Sequence, residues 1–269
     1  MLMKTITSNP LLQLEQAVLQ LGSQGFGPFS LEVAAGERIA ILGPSGAGKS
    51  SLLKMLAGEY TPSSGQICFK QRPLANWSRQ ELSQQRAVLP QSAEVAFGLQ
   101  AELVIGLGRV ARLYDPQLDQ IVYQAAQLAQ AEHLLGKRFD ILSGGEQARV
   151  QLARVFAQLW DVSDGLILVD EPLAALDPGL QSILLESLDT FASSRQHALI
   201  AILHDINHAL QGFSRLLLLK EACLFDDLAS SAAAIPALEN LYAIRLTAVC
   251  DEAGQLLVFP QRAAKRLPV

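Results

Sequence analysis

Paired cysteines are missing from this sequence. Its three, Cys68, Cys223 and Cys250, are widely spaced and form no CxxC pair. A disulfide framework or a zinc site is therefore not expected, and a reducing compartment fits. Long apolar runs are missing too. No stretch reaches the ~18 residues expected of a membrane span, and the longest candidates, Ala198 to Leu203 and Leu216 to Leu219, are strand-sized. The opening MLMKTITSNPLLQLEQ has no apolar run followed by a small-residue cleavage site, so no signal peptide is expected. A basic excess is also absent. The net charge of -5 argues against a nucleic-acid binder, which neutralises phosphates with Lys and Arg. Any membrane role must come through a partner.

What is there is enough for a sizeable core. The 269 residues are 50% hydrophobic and 17% charged, which is not the composition of a disordered chain. Phe29 to Val33 and Arg38 to Leu42 read as strands, and SSLLKMLAG reads as a helix that Gly58 caps. Gln66 to Phe69 and Ala87 to Leu89 read as short strands, with a polar helical pattern from Ser78 to Gln85 between them. From about 92 to 141 Ala, Leu and Gln dominate, and an inserted helical subdomain is expected. Strand patterns return at Gly165 to Val169, Ala198 to Leu203 and Arg215 to Leu219, with a helix over Leu180 to Phe191. Apolar strands alternating with helices imply a parallel sheet covered on both faces. The tail from Ile235 reads as a short helix and a strand pair around Gln255 to Phe259.

Three motifs carry chemistry. Gly43-Pro44-Ser45-Gly46-Ala47-Gly48-Lys49-Ser50, followed by Ser51, matches GxxxxGK[ST] between a strand and a helix. Its glycines let backbone N–H groups surround phosphate oxygens, and the helix points its positive end at the same charge. Lys49 is placed to reach β- and γ-phosphates, and the Ser50 hydroxyl to ligate Mg²⁺. Asp170 and Glu171 close the apolar run LILV, at the strand end where ligands bind in open α/β sheets. Asp170 suits Mg²⁺ held through water, and Glu171 suits a general base or water-orienting group. Leu142-Ser143-Gly144-Gly145-Glu146-Gln147 opens a helical run. It reads as a second anion cradle and as a capping box of Ser143 with Glu146, and both readings hold together.

A P-loop, LSGGE and LILVDEP in this order resemble the ATP-binding-cassette family of ATPases, over nearly the whole chain. The resemblance implies an α/β P-loop NTPase fold, a RecA-like parallel sheet with an antiparallel β subdomain and an inserted helical subdomain. The expected organisation is one ATPase domain over 1–269, with its core at about 1–91 and 142–269 and the helical part at about 92–141. It implies ATP and Mg²⁺ as cofactors and a head-to-tail homodimer, in which Ser143, Gly144, Gly145 and Glu146 of one copy cover the γ-phosphate on the other. It further implies that Gln91 senses Mg²⁺ and the attacking water, that His204 contacts the γ-phosphate, and that Asp177 lies at the dimer contact. The expected partners are two copies of an integral membrane permease and, indirectly, a periplasmic substrate-binding protein, with no nucleic acid. The expected location is the cytoplasmic face of the bacterial inner membrane, as a peripheral protein. His204 and His208 in HDINH are not expected to bind zinc, because Asp stands where the HExxH motif has Glu and no third ligand is evident.

Two departures from the family pattern stand out. Ala174 replaces the usual Ser in Leu173-Ala174-Ala175-Leu176-Asp177. No aromatic has the usual spacing before Lys49 to stack on adenine, and Phe26 is too close. Without that platform, GTP is expected to compete with ATP better than in relatives that have it. Within the family, RPLANWS from Arg72, RAVLPQ from Arg86, GLGR from Gly106 and RVQLARVFAQLW from Arg149 resemble ATPases of importers for haem, vitamin B12 and iron-siderophores. RAVLPQ and AQLW are most similar to haem import subunits. The rival classes are a soluble cassette ATPase of DNA repair and a P-loop kinase. The first carries coiled coils or paired cysteines that are absent between Gln91 and Ser143, and the second has no use for LSGGE.

Overall fold

The computed structural model describes residues 9–91, 98–171, 176–251 and 254–261. The chain opens with β1 (Leu12–Leu21) and β2 (Gln24–Val33), paired antiparallel. β3 (Arg38–Leu42) and α1 (Lys49–Leu56) follow, then β4 (Ser64–Phe69), the two-residue β5 (Arg72–Pro73), α2 (Arg79–Ser83) and β6 (Arg86–Leu89). Next come α3 (Ala101–Gly106), α4 (Leu118–Leu128) and α5 (Gly144–Gln158). β7 (Leu166–Asp170), α6 (Pro178–Ser194), β8 (Ala198–Ile202), α7 (Ile206–Gly212), β9 (Arg215–Lys220) and β10 (Cys223–Ala229) complete the central layer. The chain ends in α8 (Ile235–Tyr242) and the hairpin of β11 (Leu246–Cys250) and β12 (Leu256–Pro260).

The strands form a sheet in the order β2-β1-β4-β5, a central sheet in the order β10-β9-β3-β8-β7-β6, and the terminal hairpin. The central sheet is parallel except for its edge strand β10, which pairs antiparallel with β9. Side chains alternate across a strand, and here both faces are covered. Ile39, Ile41, Leu168, Ile200, Leu217 and Leu219 face α1 and the antiparallel sheet. Ala40, Leu42, Ile167, Val169, Ala201, Leu216 and Leu218 face the core built with α5, α6 and α8. This double burial explains the unbroken apolar runs of these strands.

Three elements depart from the sequence reading. β1 has no counterpart in the sequence reading, because its Gln and Glu residues mask the buried series Leu12, Leu14, Ala17 and Leu19. The strand expected at Phe29 begins at Gln24, because β1 supplies it with a partner from the hairpin onward. β10 was not expected, since Asp226 and Asp227 interrupt its pattern. As an edge strand, β10 leaves both partly exposed, and Asp227 pairs with Arg215 through two bonds of 2.6 Å.

Between Gln91 and Ser143 the described residues are mainly helical, with one isolated antiparallel bridge between Gln100 and Arg138, and α3 and α4 pack on α5. The GLGR segment sits here for structural reasons. A Cβ on Gly108 would stand 2.4 Å from the Arg154 carbonyl, so this turn lies directly against α5. The Arg109 guanidinium is buried. It pairs with Asp115, donates to Asp161 at 2.9 Å and to the Ala157 carbonyl at 3.0 Å. Arg109→Met would keep the bulk, strip Asp115 of its salt-bridge partner and leave Asp161 with Arg112 alone. Breaking a buried pair costs about 3–5 kcal/mol. Asp161 is 38% exposed and recovers some hydration, so the loss should lie near the lower end of that range. Arg112, which pairs with the same Asp161 from a more exposed position, should cost under ~1 kcal/mol on replacement by Met. Urea unfolding midpoints check both, and equal midpoints would refute the distinction.

Candidate active site

The site is assembled where β3, β6, β7 and β8 end. β3 is buried up to Leu42 and hands the chain to the loop 43–48 with no slack. A Cβ on Gly43 would meet the Leu219 carbonyl at 2.3 Å. Gly48, which precedes α1, has φ 90°, and a Cβ there would stand 2.8 Å from the Phe26 ring. Only glycine fits both demands. Lys49, the first residue of α1, is 7% exposed. Its Nζ folds back and donates to the Gly43 carbonyl at 2.8 Å and the Pro44 carbonyl at 3.0 Å. Burial holds this ammonium below its ordinary pKa, and the charges of Glu171 and Asp170 push it back up.

Across from the loop, β7 delivers two carboxylates. Burial raises the Asp170 carboxyl above its ordinary pKa, a bond to the Ser50 side chain opposes that, and neighbouring Glu171 adds to it. One Asp170 oxygen, Oδ1, is buried without a hydrogen-bond partner. Such an orphan beside a hydroxyl is a hard, oxygen-only donor pair, which fits Mg²⁺ better than a softer metal. Glu171 sits at φ 49°, a left-handed conformation that costs a bulky residue energy and is found at sites that aim a side chain. Its carboxylate accepts from Gln91 Nε2 at 3.0 Å and pairs with His204 Nε2. Gln91 follows β6 and His204 follows β8.

The resulting cleft holds about 550 Å³ and is lined by Ser45 to Ser51, Gln91, Glu171 and His204, with Gln24 and Phe26 on one wall. The structure thus gathers most of the sequence-predicted residues, with Gly43, Pro44 and Asp170 adjoining. Ser143, Gly144, Gly145 and Glu146 do not line this cleft. They form the start of α5, with Ser143 and Gly144 exposed. Ser143 accepts from the Glu146 amide at 3.4 Å, and Glu146 accepts from the Ser143 amide at 2.8 Å, which is the expected capping box. Asp177 is exposed and caps α6 by accepting from the Leu180 amide at 3.0 Å. Leu173, Ala174 and Ala175 lie outside the described residues. Of the lining residues, Gln24 had no place in the sequence reading, and Phe26 was set aside there as too close to Lys49. Spacing from Lys49 was the wrong ruler for Phe26, because the β1–β2 hairpin folds it back against Gly48. Phe26 is 6% exposed, so little of its ring is open to the cleft. The signal was the buried series Phe26, Phe29, Leu31 and Val33.

A family model described as ABC transporter matches residues 26–174. A hemin import ATP-binding protein from Methylobacillus flagellatus is 43% identical over 220 residues, which is 80% of this chain and 82% of that protein. A protein of the same name from Pseudomonas putida is 40% identical over 238 residues, 87% of this chain and 93% of its own. Among solved structures, an inward-facing ABC transporter described as metal-chelate type aligns with TM-score 0.77 and 23% identity, over 94% of this chain and 98% of that chain. An ATP-binding cassette in a dimeric post-hydrolysis state bound to ADP and Pi aligns with TM-score 0.72 and 21% identity, over 82% and 99%. The α/β P-loop NTPase fold expected from sequence is borne out by these structures.

Gly48→Ala tests the loop geometry. The backbone conformation alone should cost about 1–3 kcal/mol, and the contact with Phe26 adds to it. Combining it with Phe26→Leu should relieve the contact and leave the backbone cost. Denaturation midpoints and ATP binding by fluorescence read both, and a Gly48→Ala protein as stable and as tight as wild type would refute the account.

Proposed function

The chain belongs to the ABC transporter family, and from that premise we propose how it hydrolyses ATP and what that hydrolysis drives. The observation that carries the reading is the Glu171 carboxylate, held between Gln91 and His204 opposite the loop 43–50 in one cleft. The ATP triphosphate lies in that loop, on the amides that surround it and on the α1 N-terminus. Lys49 leaves the Gly43 and Pro44 carbonyls for the β- and γ-phosphates, exchanging two neutral acceptors for charged ones. Ser50, Asp170 and Gln91 are the residues to hold Mg²⁺, which when bound neutralises charge on the phosphates. Glu171 orients the attacking water and accepts its proton. His204, already paired with Glu171, holds the carboxylate in line and donates toward the γ-phosphate.

The rest of the machine is composite. Ser143 and Gly144 are exposed at the α5 start, Gly145 and Glu146 are half-buried beside them, and none of the four lines the cleft of its own chain, which supports a head-to-tail homodimer closing over two ATP molecules with Asp177 at the contact. The helical part of the single ATPase domain, expected at about 92–141, receives a membrane permease subunit, so that the homodimer engages two copies of it. Leu103, Leu107, Val110, Leu113 and Tyr114, all exposed, are the apolar surface for it. No helix among the described residues is long and apolar enough to cross a membrane, which is consistent with a peripheral place on the cytoplasmic face of the inner membrane. A periplasmic binding protein acts on the permease from the other side. Haem is the cargo favoured over vitamin B12 or a siderophore, because relatives at 40–43% identity carry the hemin import name. Phe26 offers adenine little of its ring, so base selectivity is weak and GTP competes.

Glu171→Gln should keep ATP binding and lose about 10²–10⁴-fold in turnover. With ATP and Mg²⁺ it should also accumulate as a dimer by light scattering, in the presence of the permease, and dissociate when nucleotide is removed. Turnover near wild type would show that Glu171 is not the base, and a monomer at high concentration would count against the composite site. For the cargo, deleting this subunit in its host should abolish growth under iron limitation with haem as sole iron source. Undiminished growth on haem with lost cobalamin or siderophore uptake would overturn the haem assignment and leave the ATPase standing.

A further inference from the structure

The described residues of the C-terminal unit, α8 with the β11–β12 hairpin, do not line the cleft, yet the unit grips two of the elements that build it. The first grip is Tyr242, the last residue of α8. Its hydroxyl accepts from the Gly43 amide at 3.2 Å. Gly43 is where the chain leaves β3 for the phosphate loop. Its carbonyl accepts from Lys49 at 2.8 Å, and the Leu219 carbonyl blocks it on the sheet side. The peptide groups on both sides of Gly43 are therefore fixed, one by Tyr242 and one by Lys49. When Lys49 turns to a phosphate, Tyr242 is the side-chain anchor that stays.

The second grip is Asn207, in the first turn of α7. Its side-chain amide donates to the Val258 carbonyl at 3.1 Å and accepts from the Val258 amide at 2.7 Å. A primary amide that makes both bonds to one residue behaves as one more strand on the edge of β12, whose other edge is paired with β11. The Asn207 backbone is in turn held by Asp205, which accepts from its amide at 2.7 Å, and Asp205 directly follows His204. The unit between the two grips is tied to itself. Glu239 of α8 accepts from the Leu246 amide of β11 at 2.7 Å, and its carbonyl accepts from the Ile244 amide at 3.1 Å. α8 and the hairpin therefore move together.

We propose that this unit is a brace, and that Tyr242 and Asn207 are positioning residues through which it fixes the entry of the phosphate loop relative to the turn carrying His204. The brace never touches nucleotide. It limits how far the two sides of the cleft drift apart between turnovers, and each grip governs one side. The inference rests on the reading above that the loop and His204 serve the same γ-phosphate.

The test uses the full-length chain with Tyr242→Phe and Asn207→Ala, which remove one hydroxyl and one amide. Tyr242→Phe should raise KM for ATP about tenfold and leave kcat within about twofold, since an unmade bond to a buried partner is worth about that factor. Asn207→Ala should lower kcat about tenfold and leave KM within about twofold. Asn207→Asp, which keeps an oxygen for the Val258 amide, should fall between Asn207→Ala and wild type, and it replaces the alanine variant should that fail to fold. A purely structural pair of contacts would lower the unfolding midpoint without this split between KM and kcat, and that result overturns the brace. Glu171→Gln is measured beside them. Full turnover there refutes the underlying reading. Lost turnover there, with unchanged KM and kcat in the Tyr242 and Asn207 variants, refutes the brace alone.

Discussion

The site depends on one constraint, that the central sheet is parallel and buried on both faces. A parallel strand returns to the same end of the sheet through a crossover, so β3, β6, β7 and β8 all release their chains at one edge. Gly43, Gln91, Asp170 with Glu171, and His204 are the residues found at those four exits. They are far apart in sequence and meet only because the registers align, with Val169 opposite Ala201 and Leu89 opposite Val169. Apolar packing on both faces sets the sheet, and the sheet sets the chemistry.

At that edge the protein holds charges that its own groups only partly satisfy. Lys49 is buried on two carbonyls, Asp170 keeps one oxygen without a partner, and Glu171 sits in a left-handed backbone conformation. Each costs stability where it stands. A triphosphate with a divalent cation would meet the ammonium and the orphan oxygen together, so much of the binding energy is prepared in the folded chain rather than created on contact. The arrangement also explains why the Lys49 ammonium, though held down by burial, is drawn back toward its charged form by the two carboxylates it faces.

The fold was legible where periodicity and packing agree. β8 is apolar throughout and β3, β7 and β9 are apolar except at their ends, and the P-loop stands between a strand and a helix as its chemistry demands, so these needed no tertiary information. β1 and β10 were not legible, because Gln13, Glu15, Gln16, Asp226 and Asp227 blur the alternation that only a neighbouring strand makes sense of. Phe26 was set aside for a related reason, since its distance to the loop is set by the β1–β2 hairpin and not by counting residues. GLGR was read as a marker of importer type, while the structure gives Gly108 and Arg109 a packing job against α5. A segment can resemble a subgroup because the subgroup shares a core. The pairing of Glu171 with both Gln91 and His204 had no sequence signal at all, as it joins three strand ends.

The start of α5 is where the proposed homodimer would draw on a second copy. A helix N-terminus leaves its first amides without intrahelical partners. Here the Ser143 amide is taken by Glu146 Oε2 and the Glu146 amide by Ser143 Oγ, so the capping box closes two donors and leaves those of Gly144 and Gly145 as the ones to offer an anion. The Ser143 hydroxyl, too, donates to Glu146 at 2.8 Å, and these bonds hold the Glu146 carboxyl below its ordinary pKa. An incoming phosphate would compete with that carboxylate for the Ser143 hydroxyl, and it would do so on an exposed tip away from the chain's own phosphate loop. A tip of this kind is complete as a helix cap and incomplete as an anion site. That is the character expected of a surface that would engage a γ-phosphate brought to it by the other subunit of the proposed homodimer.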